Sequence, residues 1–145
     1  MTQDPRRRML HPELSPEARR RLFLRGIELF NSGDWFDCHE AFEEIWRSTT
    51  PEPRDLFQGL IQVAVGFFHL QVRGNRTVAR RVLAKGRRRL VAFVPLSHGL
   101  DVGGLVEGVR RWERWLEEAG EAGAAGSGEG PEVPRIVVVD SAAVR

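Results

Sequence analysis

A histidine and a glutamate stand one helical turn apart in the segment CHEAFEEIW. The spacing of His39 and Glu43 places both side chains on the same side of a helix. Counted at about 100° per residue, His39 lies at the edge of an apolar arc beside Trp46, Glu43 lies about 40° further round, and Glu40 faces solvent. An imidazole beside a carboxylate forms an internal hydrogen bond or supplies two ligands for a metal ion.

A second polar group lies within the most apolar stretch of the chain, residues 54–73. Its members fall within about 40° of one another on a helix and form a polar seam: Gln58, Gln62 and His69. Gly59 and Gly66 border this seam and let another backbone approach closely. Because a short break joins the two helices, we expect them to pack antiparallel, so that the seam opposes His39 and Glu43.

Together these residues predict a buried polar pocket, with His39 and His69 as donor, acceptor or ligand groups and Glu43 as the carboxylate. Gln58 and Gln62 would orient them, and Trp46 would exclude water. His39, Glu43 and His69 are suitable ligands for zinc, iron or manganese. The order His then Glu differs from the Glu-x-x-His pairs of di-metal bundles, and His-Glu-x-x-His is not met. We therefore prefer a structural or ligand-binding cluster to a metal site.

Composition places the chain among single-domain proteins of a reducing compartment. Its 145 residues carry a net charge of +2 and one cysteine, Cys38, which excludes an internal disulfide. The basic N-terminus is not followed by the apolar run of a secretory signal. The apolar stretch at 56–72 is slightly short for a bilayer and contains Gln and His, so we expect a core helix, no membrane segment and a cytoplasmic location.

Capping residues and apolar periodicity predict an all-α fold, an up-and-down bundle of about five helices with an irregular or extended C-terminal tail. The predicted helices begin at Ser15-Pro16 and end near Asn31, and then cover 35–48, 54–73, 76–93 and 102–119. Asp34, Asn75 and Asp101 are candidate N-caps, and Gly33 and Gly74 are candidate C-terminal glycines. The helices form one domain over 15–119, between a flexible basic arm at 1–14 and a segment at 120–145.

Charge is concentrated in the fourth and fifth predicted helices. The fourth carries a basic face without an acid, and the fifth is acidic near its end, so the two are plausible neighbours. No interleaved aromatic residues or reading motif accompany the basic face, and we do not expect nucleic acid as a partner. The Gly/Ala-rich linker at 120–132 precedes a short extended segment at 134–139, which should lie along the helical body, pair with another chain or remain mobile.

These motifs resemble the domain of unknown function 309 family. The family pattern is His-Glu-x-x-Glu-x-x-Trp on one helix, then a Gln-Gly-containing apolar helix, a downstream His and a Gly-Asn turn. The matching positions are His39, Glu40, Glu43, Trp46, Gln58, Gly59, Gln62, His69, Gly74 and Asn75. The resemblance covers roughly residues 20–93 and implies a compact all-α bundle of a bacterial or archaeal cytosolic type. It implies no activity, but it adds Glu40 to the pocket residues.

Three functions remain open, in order of preference. The first is an interaction or structural module, acting on a protein partner or as a homo-oligomer. The second is a metal-binding protein or metal-dependent enzyme using His39, Glu43 and His69. The third is nucleic-acid binding through the Arg-rich helix. The residues leave both an enzyme and a binding protein open.

Overall fold

Five helices follow one another along the chain and pack as an up-and-down bundle. The computed structural model describes residues 14–48, 54–119 and 130–144. The helices are α1 (Pro16–Asn31), α2 (Trp35–Arg47), α3 (Arg54–Gln71), α4 (Arg76–Leu90) and α5 (Val102–Ala119). Successive helices contact each other, and α3 lies between α2 and α4. The predicted all-α bundle is thus confirmed, and none of these described helices is long and apolar enough to cross a membrane.

Three predicted segments lie wholly or mostly outside the described residues. They are the basic arm at 1–14, the break at 49–53 and the linker up to residue 129.

The helix ends follow most of the capping predictions. The side chains of Ser15 and Asn75 each accept a hydrogen bond of 3.1 Å from a backbone N–H in the first turn of the next helix. Asp34 is the N-cap residue of α2, as predicted, although its side chain makes no capping hydrogen bond. Gly33 and Gly74 end α1 and α3 with φ of +79° and +65°. Glycine suits these positions because a Cβ disfavours positive φ.

A small hairpin between α4 and α5 was not predicted. A 3₁₀ turn, Val91–Phe93, shortens α4 relative to the predicted 76–93. Strands β1 (Leu96–Ser97) and β2 (Leu100–Asp101) then pair antiparallel. Their two linking residues, His98 and Gly99, have φ of +52° and +76°, which matches the right-handed twist of a tight hairpin. Strands of two residues are too short to show an alternating pattern in the sequence.

The C-terminal tail, residues 130–144, lies along the helical body, which confirms the first of its three predicted placements. Its backbone pairs with the hairpin. The N–H of Val139 donates a hydrogen bond of 2.7 Å to the carbonyl of Gly99, and the N–H of Asp101 donates one of 2.9 Å to the carbonyl of Val137. Its side chains Ile136 and Val144 are 3% and 0% exposed. The tail therefore completes the hydrophobic core.

The tail is also fastened to α1 by side chains at both ends of that helix. The side-chain amide of Asn31 accepts a hydrogen bond of 2.8 Å from the backbone N–H of Ile136 and donates one of 2.9 Å to the carbonyl of the same residue. Nη1 of Arg20 donates to the carbonyls of Ser141 and Val144 at 2.8 and 2.7 Å. Asn31 thus supplies the hydrogen bonds that a neighbouring strand would otherwise make with the N–H and C=O of Ile136.

Aromatic rings join the helices in the core. Phe23 of α1 lies edge-on to Phe42 of α2 and Phe57 of α3, with centroids 5.9 and 5.1 Å apart. Trp35 stacks on Phe67 at 5.2 Å. Such pairs contribute about 0.5–1.5 kcal/mol each beyond the area they bury, so they fix how α1, α2 and α3 meet.

Candidate functional site

His39 and Glu43 form a pair on the shoulder of α2. Nε2 of His39 lies 3.5 Å from one carboxylate oxygen of Glu43, and the two side chains are 24% and 28% exposed. The other oxygen of Glu43 lies 2.9 Å from Nη2 of Arg47, one turn further on. Glu43 therefore bridges two cationic or polar partners on its own helix, while the core side of α2 is apolar.

Trp46 and Glu40 flank this pair in different ways. The guanidinium of Arg54, at the start of α3, lies 4.6 Å from the centroid of the half-buried Trp46 ring. This distance is within the range of a cation–π contact. Glu40 is exposed, which agrees with its angular position on α2.

One residue of the polar seam of α3, Gln62, contacts α4. Oε1 of Gln62 accepts a hydrogen bond of 3.1 Å from Nε of Arg89 on α4. Nη1 of the same arginine donates a hydrogen bond of 2.9 Å to the carboxylate of Asp55. Gln58 and His69 are half-buried. The seam had been expected to oppose α2. Angular position says which residues share a face, but it does not say which neighbouring helix lies beside that face.

Glycines explain why α4 comes so close to this side of α3. A Cβ placed on Gly86 would lie 3.0 Å from the carbonyl oxygen of Gly59 and 2.9 Å from the side chain of Val63. A Cβ on Gly66 would lie 2.6 Å from Leu83. Real Cβ atoms do not approach so closely, so glycine is required at this contact.

The described residues hold no group of three or more His, Cys, Asp or Glu side chains arranged to bind a metal ion. His39 and Glu43 remain a pair, and the ring of His69 contacts Phe68 at a centroid distance of 5.9 Å. The metal hypothesis for His39, Glu43 and His69 gains no support from this geometry and stays a prediction.

A strip of one exposed and two half-buried aromatic rings crosses from α2 to α3 and was missed by the sequence analysis. Phe36 is 56% exposed, and its ring centroid lies 5.7 Å from His39 and 6.4 Å from Phe68. Val72, 62% exposed, follows Phe68 by one turn. We call Phe36, His39, Phe68 and Val72 together the aromatic strip. The available signal was Phe36, whose angular position lies outside the apolar arc of α2.

Charges of opposite sign border the aromatic strip. On α2, the exposed Glu40 and Glu44 lie beyond Phe36. On the other side, Arg73 places its guanidinium 5.6 Å from the ring of Phe68, and Arg89 of α4 lies past Gln62. The face of α2 and α3 therefore has an acidic edge, an apolar centre and a basic edge.

The basic helix and the acidic helix are neighbours, as their charges predicted. Arg87 of α4 donates from Nε and Nη2 to the carboxylate of Glu113 of α5, at 2.5 and 3.1 Å. This hydrogen-bonded pair raises the pKa of Arg87 above its ordinary value, because the carboxylate stabilises the charged guanidinium.

Comparison with known proteins finds a family match that begins within α1 and ends within α4. The family model described as "Domain of unknown function (DUF309)" matches residues 23–82. YpuF of Bacillus subtilis, an uncharacterised protein, is 37% identical over 84 residues, which cover 56% of this chain and 48% of that protein. The chain thus spans about half the length of this curated relative, and no solved structure matches significantly. The similarity to the DUF309 family of domains of unknown function thus covers residues 23–82.

Proposed function

We propose that the chain is a self-associating interaction module whose contact surface is the aromatic strip. The observation that carries this proposal is the exposure of Phe36 and Val72 beside Phe68. These side chains stay exposed although the core is already closed by the tail. Contiguous apolar surface of this kind on an otherwise well-packed protein is typical of an interaction site.

The bordering charges favour a second copy of this chain as the partner. In a face-to-face dimer with its two-fold axis parallel to α2 and α3, each edge of one copy meets the opposite edge of the other. Glu40 and Glu44 would then face Arg73 of the partner copy. An axis across the helices would instead bring like charges together, which is unfavourable. Charge thus selects one isologous arrangement.

The size of the face suggests a weak dimer. From helix length and spacing, the outer face of α2 and α3 measures about 25 Å by 20 Å. It can therefore bury about 1,000 Å² in total, the lower end for a specific interface. We expect dissociation in the micromolar range and a dimer that weakens as salt rises, because the charged edges are exposed.

Sedimentation equilibrium of the full chain tests this proposal. We expect a monomer–dimer equilibrium for the unsubstituted protein at 10–200 µM, an estimated range for weak complexes. Replacing the two exposed apolar residues, Phe36→Glu with Val72→Glu, should shift the dissociation constant at least tenfold toward monomer. The matched control is Val91→Glu with Val139→Glu, which alters side chains that are 40% and 52% exposed elsewhere.

Circular dichroism and the thermal midpoint establish that each variant is folded. A control pair that dissociates as readily as the strip variant would contradict the role of the strip. An unsubstituted protein that remains monomeric at the highest concentration would overturn the proposal itself.

A further inference from the structure

A basic groove runs between α4 and α5, on a different side of the bundle from the aromatic strip. Its volume is about 330 Å³. It is lined by four cationic side chains, two carboxylates and two small residues: Arg80, Arg81, Lys85, Arg88, Glu113, Glu117, Thr77 and Ala84. A groove of this volume is at the small end for sites that hold a low-molecular-weight ligand.

The four cations of the groove make no ion pair with any described residue. The described ion pairs of α4 use Arg87, which binds Glu113, and Arg89, which binds Asp55. We had expected the basic face to be balanced by acidic neighbours, and two of its arginines are. The groove cations are all exposed on one side of the helix.

Their spacing makes them repel one another. Arg81, Lys85 and Arg88 recur at i, i+4 and i+7, which brings like charges together along one side of α4. Like-charge neighbours on a helix destabilise it by a few tenths of a kcal/mol per pair. A bound anion would remove this repulsion, and Glu113 cannot, because Arg87 already holds both of its oxygens.

We propose that this groove binds a compact anion with at least two linked phosphate groups. Arg81 and Arg88 are seven residues apart, about 10 Å along the helix, and four cations line the groove, so an anion with several linked charged groups engages more of them than a single phosphate does. Arginine binds phosphate oxygens in a planar, bidentate geometry. The groove is short and is closed on one side by the carboxylates of α5, which favours a compact anion over an extended nucleic-acid strand. The residues that line the groove also include no aromatic ring on which a base could stack.

Isothermal titration calorimetry of the full chain with inorganic tripolyphosphate tests the proposal. We expect one site per chain, with inorganic phosphate binding at least tenfold more weakly. Arg81→Ala with Arg88→Ala should weaken tripolyphosphate binding at least tenfold. Glu117→Gln should strengthen it two- to fivefold, because it removes a negative charge from the wall of the groove.

The matched control is Arg21→Ala with Arg25→Ala, which removes the same charge from the exposed side of α1. This control should keep the affinity within twofold. Equal weakening by both pairs would mean that binding reflects net charge only, and it would overturn the site. Tighter binding of a 20-nucleotide single-stranded RNA that tripolyphosphate does not displace would also overturn it, in favour of a nucleic-acid surface. Neither result bears on the aromatic strip.

Discussion

The thiol of Cys38 lies in the core side of α2 and is 0% exposed. Burial raises its pKa well above the ordinary value of 9.0, because the thiolate would lose its solvation. Cys38 is thus a small apolar residue of the core. A protonated, enclosed thiol is a poor nucleophile.

Cys38 should make the protein less stable in alkali. Above about pH 9 the unfolded chain loses the thiol proton and the folded chain keeps it, so stability falls as pH rises, by up to about 1.4 kcal/mol per pH unit. Urea unfolding of the protein and of Cys38→Ala between pH 7 and 10.5 measures this difference. Few other groups interfere, since the chain has no tyrosine.

The fall in stability should be smaller in Cys38→Ala than in the unsubstituted protein. Parallel pH profiles for the two proteins would contradict a buried thiol. A thiol-reactive dye should label the unsubstituted protein only after urea is added.

Single residues were predictable where one local rule decides their role. Ser15 and Asn75 cap helices because of their chemistry and position alone, and Cys38 follows from the apolar arc. Phe36 was missed although its angular position, outside the apolar arc of α2, indicated an exposed ring. Gln62 was expected to oppose α2, but its partner Arg89 belongs to α4.

The contact of α3 with α4 depends on glycine at the level of whole helices. Gly86→Ala should destabilise the protein by about 2–3 kcal/mol, because the added Cβ would meet backbone at Gly59 and the side chain of Val63. The urea concentration at the midpoint of unfolding, compared between the two proteins at an unchanged m-value, measures this loss of stability. The two helices would have to move apart along their length, so the loss is not confined to one residue.

Gly103→Ala is the matched control for this substitution. A Cβ there would lie 3.6 Å from the nearest atoms, which belong to Pro95, and alanine favours helix by up to about 1 kcal/mol. We expect no destabilisation from this change. If both substitutions had the same effect, the close approach of α3 and α4 would be contradicted.

Helices were largely predictable as elements, but the face that each one turns to a given neighbour was not. Periodicity and caps located all five, with ends misplaced by a few residues where α4 passes into a 3₁₀ turn. The side of α3 that α4 covers is decided by the glycines, whose role appears only when both helices are placed. The hairpin escaped prediction because it depends on pairing with the tail.

At the scale of the whole molecule, the tail joins α1, the hairpin and α5. Asn31→Ala should release its middle part and lower stability by about 2–3 kcal/mol, because both backbone groups of Ile136 lose their partner. Hydrogen exchange of the amides of residues 136–139 should accelerate more than that of α3.

Ser32→Ala is the control for the tail, because that hydroxyl donates only to the carbonyl of Glu28 within its own helix. It should leave exchange in the tail unchanged. Unaltered protection in Asn31→Ala would mean that pairing with the hairpin holds the tail without α1.

The whole bundle could be predicted from the sequence, but the docking of the tail could be predicted only as one of three options. Neighbouring helices with short connections have few ways to pack. The tail is separated from Asn31 by 105 positions, and no local signal specifies contacts over that distance.

This separation sets an order of events during folding. The helix contacts of the body join neighbours in the chain, whereas Arg20 meets Val144 across 124 positions. Closing so long a loop has a large entropic cost, which is recovered only after the surface it docks on has formed. The tail should therefore dock after the main barrier, so that Asn31→Ala speeds unfolding and leaves the folding rate nearly unchanged. The kinetic lifetime of the folded protein is then governed by its last-formed segment rather than by its core.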